Sequence, residues 1–155
     1  MVSSKEIEFH RQLLLSSVSN FTRKMFAYMN NNELLIGKHH KIIFDALNRI
    51  VSGENNRLII NVPPRYGKTL LVSQMFLAYG LAINPKSRFI LLSYSGSLAI
   101  DNSIAVKQIV KSDYYQLLFD TRVMQGSNTR PEVHTGRFFS CVFGQTILLK
   151  KFFIQ

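Results

Sequence analysis

Hydrophobic positions set the first expectations. Ile7, Leu14, Val18, Phe21 and Met25 recur at helical spacing behind a capping-box pair, Ser3 and Glu6. They predict one amphipathic helix that ends near Asn30-Asn31-Asn32 and packs on its own domain rather than on a partner. Ile43, Leu47 and Ile50 place a second helix over about 39–51, stopped at Ser52-Gly53. The pattern then changes to the run Leu58-Ile59-Ile60-Asn61-Val62, a buried strand ended by Pro63-Pro64, neither of which donates to a sheet ladder. A helix follows from Lys68 to about Ala82, closed by Asn84-Pro85. Arg88 to Ser93 reads as a second buried strand, so 57–93 is expected to form one β-α-β unit with parallel strands. Ser97 is placed to cap a helix over Leu98–Val110, and Asp113–Phe119 forms a short further helix.

Candidate chemistry sits where the first strand gives way to the helix. Gly67 lets the chain turn close to a ligand, and the amide groups and positive dipole end of the helix opened by Lys68-Thr69 face the loop. Lys68 reaches β- and γ-phosphate oxygens as a mobile point charge, and the Thr69 hydroxyl takes one coordination position on magnesium. Arg65 is a fixed fork suited to a γ-phosphate. The match to the usual phosphate-loop pattern is partial, because Val62 stands where the first glycine belongs. A tight connection whose lysine is merely solvated is the plain alternative. Tyr94-Ser95-Gly96-Ser97 forms a loop at the carboxyl end of the second strand, where it serves either the nucleotide or an ordinary turn.

Charge adds a partner class. With 19 Lys+Arg against 9 Asp+Glu, the net charge is +10, which favours a polyanion such as nucleic acid, or an anionic membrane surface. No Asp or Glu lies between Glu54 and Asp101, so like-charge repulsion with a phosphate is absent there, and so is a metal-binding acid. At 155 residues and 46% hydrophobic the chain suffices for one ordinary domain with a real core. A single cysteine, Cys141, excludes an internal disulfide and suits a reducing cytosol. The longest apolar run, Met75–Ile83, is about half the ~20 residues that span a bilayer as a helix, so no membrane role and no export are expected.

From Arg57 to Phe119 the chain resembles the large subunit of tailed-phage terminases, the motor that packages viral DNA. Four pieces carry the resemblance: the helix 39–47, the loop Pro63-Pro64-Arg65-Tyr66-Gly67-Lys68-Thr69, the strand and turn Arg88–Ser95, and Tyr114–Phe119. Terminase loops often lack the first glycine and carry an arginine ahead of the Gly-Lys, as Val62 and Arg65 do here. The resemblance implies an α/β fold, a partial P-loop NTPase of three-layer α/β/α type with two N-terminal helices. It divides the chain into a helical segment 1–52, an ATPase core 53–137 and an aberrant or truncated tail 138–155. It implies ATP and Mg2+ as cofactors, with Pro64, Arg65, Tyr66, Gly67, Lys68, Thr69 and His40 at the nucleotide, Arg65 and Lys68 catalytic, and Thr69 on the metal. His40 would lie near the adenine, and Tyr94 and Ser95 would link nucleotide state to DNA movement. Double-stranded DNA is the implied partner, with the portal and the terminase small subunit in a complete motor, a homo-oligomer being compatible. The implied location is the cytoplasm of a bacterial host.

The departures concern catalysis. This ATPase class needs a second strand ending in Asp, commonly followed by a Glu that orients the attacking water. Beyond Lys68 the carboxylates are Asp101, Asp113, Asp120 and Glu132, none after a convincing strand. A glycine-containing hairpin, Thr135–Phe139 to Gly144-Gln145-Thr146, leads not to an acid but to Ile147–Gln155, and five of the 12 Phe fall within 138–155, as a frame change or early stop would produce. ATP binding is therefore expected to be weak, with little or no turnover. The alternatives are a helicase-type ATPase fragment and a catalytically dead, basic DNA-binding remnant.

Overall fold

A computed structural model of the chain describes residues 4–87, 89, 91–93, 95–121, 141–143 and 146–150. In place of one long amino-terminal helix there are two, α1 (Ser4–Leu15) and α2 (Val18–Asn30). Ser16 Oγ donates to the Leu13 carbonyl at 2.7 Å, and Ser17 Oγ accepts from the Asn20 N–H at 3.1 Å. Short hydroxyl side chains compete with the helix for its own backbone groups, so the serine pair ends one helix and caps the next. The apolar period gives no sign of this break, since Leu14, Val18, Phe21 and Met25 are all buried. Ser3, half of the expected capping box, lies outside the described residues. Asn31, at φ 49°, closes α2 in the left-handed conformation.

Helix α3 (Lys38–Ser52) buries Ile43, Phe44, Leu47 and Ile50 and ends at Gly53, whose N–H reaches the Ile50 carbonyl. Strand β1 (Arg57–Asn61) follows. The helix after the loop is wound as a π-helix, π1 (Thr69–Met75), that continues without interruption into α4 (Phe76–Ile83). The Phe76 N–H bonds to the Leu71 carbonyl, five residues back, which is the wide winding itself. Beyond β2 (Leu92–Ser93) come α5 (Gly96–Lys111), capped at Ser95 rather than at Ser97, and α6 (Asp113–Leu118). Strands β3 (Cys141–Phe143) and β4 (Thr146–Lys150) form a hairpin from residues expected to be an aberrant tail.

The core lies between helices. Phe21, Tyr79, Tyr115 and Phe119 bring their rings together, the Phe21–Tyr79 centroids at 5.3 Å and the Tyr115–Phe119 centroids at 4.8 Å. The polar tips of this cluster are satisfied by backbone. Tyr79 Oη donates to the Leu15 carbonyl at 2.8 Å, Tyr115 Oη to Ala78 at 3.1 Å, and the buried Thr121 Oγ1 to Leu81 at 3.0 Å. Two of these bonds end on carbonyls of α4, so α6 and the residues after it are keyed to the helix that starts at the loop.

The expected three-layer α/β/α P-loop fold is not what forms. The described residues are mostly helical, and their helices pack chiefly on one another. A central strand of a parallel sheet is covered on both faces, yet in β1 Ile60 alone is buried and Ile59 is 66% exposed. The described strands are short, in the order β1-β4-β3-β2, with β1–β4 and β3–β4 antiparallel and only β2–β3 parallel. The two strands expected to flank one β-α-β unit therefore have two others between them. Local apolar patterning had no means of showing β4, whose pairing with β1 joins Arg57 to Lys150 and Asn61 to Thr146.

Candidate phosphate-binding loop

The loop from Val62 to Lys68 joins the end of β1 to the start of π1. Arg65 (φ 67°) and Gly67 (φ 74°) both take positive φ, on either side of Tyr66. Glycine adopts this conformation without cost, whereas arginine carries a Cβ strain there. Lys68 then returns to right-handed helical dihedrals (φ −51°, ψ −51°) and starts the helix, and the Leu71 N–H bonds back to the Gly67 carbonyl at 2.9 Å. Alternation of left- and right-handed residues aims successive N–H groups into one concavity, the backbone arrangement that holds anions.

Exposure varies along the loop. Pro64, Arg65 and Thr69 are exposed and Tyr66 is half exposed, whereas Gly67 and Lys68 are partly covered. Burial lowers the Lys68 pKa below its ordinary value, because the ammonium gives up part of its water shell.

Helix α3 supports the loop from beneath. His40 Nδ1 accepts from the Gly37 N–H at 3.1 Å, so the neutral ring carries its proton on Nε2. Nε2 faces the loop: a Cβ placed on Gly67 would meet it at 3.2 Å. The Tyr66 and Leu35 backbone groups lie close enough to the imidazole to favour its charged form. The His39 ring lies against His40 at 3.9 Å between centroids, meets the edge of Tyr66 at 5.2 Å, and covers Gly37, where a Cβ would touch its Cε1 at 3.0 Å. His39 Nε2 is buried without a hydrogen-bond partner. Burial first and the neighbouring His39 second hold the His40 pKa below its ordinary value, against the opposing pull of the two backbone groups.

Six of the seven residues expected at the nucleotide, Pro64 to Thr69, thus form one continuous turn. The seventh, His40, lies against that turn at Gly67. Gly37 and His39 belong to the same arrangement and went unnoticed in the sequence. The spacing Gly37-x-x-His40 is the only trace of it, a variant of the capping box with imidazole in place of a carboxyl or amide group. Tyr94 lies outside the described residues, while Ser95 stands at the N-cap position of α5 without a side-chain bond to the helix, its Oγ 2.7 Å from that of Ser97. A separate open groove of about 180 Å³ beside Arg23, Lys24, Glu33 and Leu34 includes no loop residue.

Comparison with known proteins identifies no relative. No family model, curated protein or solved structure matches the chain. The chemistry then rests on the loop itself. Backbone amides beside a partly desolvated ammonium suit the oxygens of a phosphate chain. For magnesium the described residues offer the Thr69 hydroxyl, and no cluster of three or more His, Cys, Asp or Glu occurs among them. Since magnesium is ordinarily held by one or two carboxylates together with substrate phosphates, the loop fits phosphate better than it fits the metal.

Proposed function

We propose that the Val62–Thr69 loop binds the phosphates of ATP, and that the chain is the ATP-binding part of a terminase-like motor that acts on double-stranded DNA. The observation that supports this most is the left-handed Gly67 immediately before Lys68 at the first turn of a helix that follows β1. On this reading the Gly67–Thr69 amides and the Lys68 ammonium take the β- and γ-phosphate oxygens, and Arg65 reaches the γ-phosphate from the exposed side of the turn. When bound with ATP, magnesium would neutralise charge between the two phosphates, with Thr69 as its one ligand from this loop. The portal and the small subunit are partners of the whole motor on the same reading.

Hydrolysis needs a carboxylate to orient water. Asp101 is exposed on α5, Asp113 opens α6 and Asp120 is exposed beyond it, positions on helices and their ends rather than at a strand tip; Glu132 lies outside the described residues. The proposed activity is accordingly binding with little or no turnover. ATP with magnesium should raise the thermal midpoint of the chain and leave that of Lys68→Ala unmoved, while phosphate release by both stays at background. Equal shifts in the two proteins would remove the phosphate site, and Lys68-dependent release would refute the inactive half of the proposal.

A further inference from the structure

We propose that His40 is a positioning residue that braces the phosphate-binding loop, linking the α3 start to the Tyr66–Gly67 turn, rather than a residue that touches the nucleotide base. This rests on the reading that the loop binds phosphate.

Three contacts carry the inference. Nδ1 takes the N–H of Gly37, the residue before α3, at 3.1 Å; the Tyr66 backbone lies close enough to the ring to act on its charge; and Nε2 lies 3.2 Å from where a Cβ on Gly67 would sit. One imidazole thus occupies the space between two glycines 30 residues apart, at the exposed turn that carries Lys68. With Nδ1 bonded to Gly37 and Nε2 turned to Gly67, neither nitrogen is presented to a base. His39, packed on the outer side of the same ring and against Tyr66, restricts its rotation.

The Gly37 end of the brace works only in the neutral ring. Protonation puts a hydrogen on Nδ1, where it opposes the Gly37 N–H, and the bond at the helix start is lost. The groups packed on His40 are His39 from its own helix, the Tyr66 and Gly67 backbone from the loop, and the Leu35 backbone from the segment leading into α3. His39 is the titratable one among them, and Arg65 and Lys68 flank Tyr66-Gly67 in the loop. None of these is an acid; the Tyr66 and Leu35 backbone groups favour the charged ring, but burial and His39 outweigh them. Electrostatics alone would have protonation tighten phosphate binding, by adding positive charge beside the site. The brace has the opposite sign at its helix end: protonation releases Gly37, and with it the tie between α3 and the loop.

The test compares wild type, His40→Ala and His40→Gln, with ATP and with inorganic tripolyphosphate, which has no base. Glutamine at this position restores the acceptor for the Gly37 N–H, as in an ordinary capping box, and does not titrate. His40→Ala should weaken both ligands about tenfold, the scale of one well-made hydrogen bond, and His40→Gln should recover most of it at pH 7.5. Between pH 7.5 and 5.5 wild type should lose affinity relative to His40→Gln; ligand protonation is common to both and cancels. Loss of ATP binding with tripolyphosphate unaffected would make His40 a base contact and overturn the proposal, as would a wild type that tightens in acid relative to His40→Gln. Amide resonances of Gly37 and Gly67 in the ligand-free, glycine-labelled chain give a reading that needs neither ligand nor the alanine variant. Both should move together with pH in wild type and stay fixed in His40→Gln; if neither moves, there is no brace. Should wild type bind neither ligand, the phosphate reading fails while the resonances still decide the brace.

Discussion

Arg65 holds a conformation that disfavours any residue with a Cβ. Such strain, about 1–2 kcal/mol in the left-handed region, persists where the surroundings impose it, and in this loop it presents a guanidinium at the exposed turn. Asparagine tolerates that region best among residues with a side chain. Arg65→Asn should therefore leave the ligand-free chain as stable or up to about 1 kcal/mol more stable in urea melts, while weakening ATP. A variant that loses stability would show that the arginine side chain anchors the loop. His40 sets a second expectation at this scale. Its pKa is held below 6.5, so over the interval beneath 6.5 the unfolded chain takes up a proton that the folded chain refuses. The contribution to stability is complete above 6.5 and declines as the pH falls through the lowered folded value. The thermal midpoint of wild type should thus drop more steeply in mild acid than that of His40→Gln, as scanning calorimetry would measure; parallel curves would count against it.

Among the elements, the helix that leaves the loop is the most constrained. Gly80 lies on α4, and a Cβ there would collide with the Phe89 ring. The missing side chain is what lets the segment before β2 lie on the helix. Gly80→Ala gains helix propensity, ~1 kcal/mol, yet overpacks a site with no room, at ~1–3 kcal/mol. A net loss is expected in chemical denaturation, and a net gain would mean that Phe89 moves aside readily. The elements also show what sequence makes legible. The apolar run, the proline pair and the Gly-Lys-Thr are adjacent in the chain, so β1, the loop and the helix start could be placed from local pattern. The break at Ser16-Ser17 could not, because the apolar period passes straight through it. Nor could the π winding, which local propensity does not encode, or the pairing of β1 with β4, whose partners lie some ninety positions apart. His40 belongs with these: its helix was expected, but its role depends on a turn folded above it.

For the molecule as a whole, charge is the dominant quantity. A net +10, with no Asp or Glu between Glu54 and Asp101, favours binding to a duplex through its phosphates. Affinity for double-stranded DNA should fall linearly with salt on logarithmic axes, with a slope of about −0.9 for each phosphate neutralised. Filter binding or fluorescence anisotropy at several salt concentrations measures it, and a flat response would exclude the proposed partner. The fold class was the least legible property at this scale. An apolar strand, a loop and a helix were compatible with a parallel sheet covered on both sides; the exposure of alternate β1 positions and the antiparallel pairing of β1 with β4 separate that arrangement from the one that forms.

Strand β1 ends the order of described strands and leaves Ile59 uncovered. An outermost strand of this kind is a template for another chain. Repulsion between like-charged copies opposes such stacking at low ionic strength, and added salt, which would strip bound DNA during purification, screens that repulsion. The preparation freest of nucleic acid should therefore also be the one that turns cloudy first, and a high-salt wash is best done dilute and followed promptly by desalting.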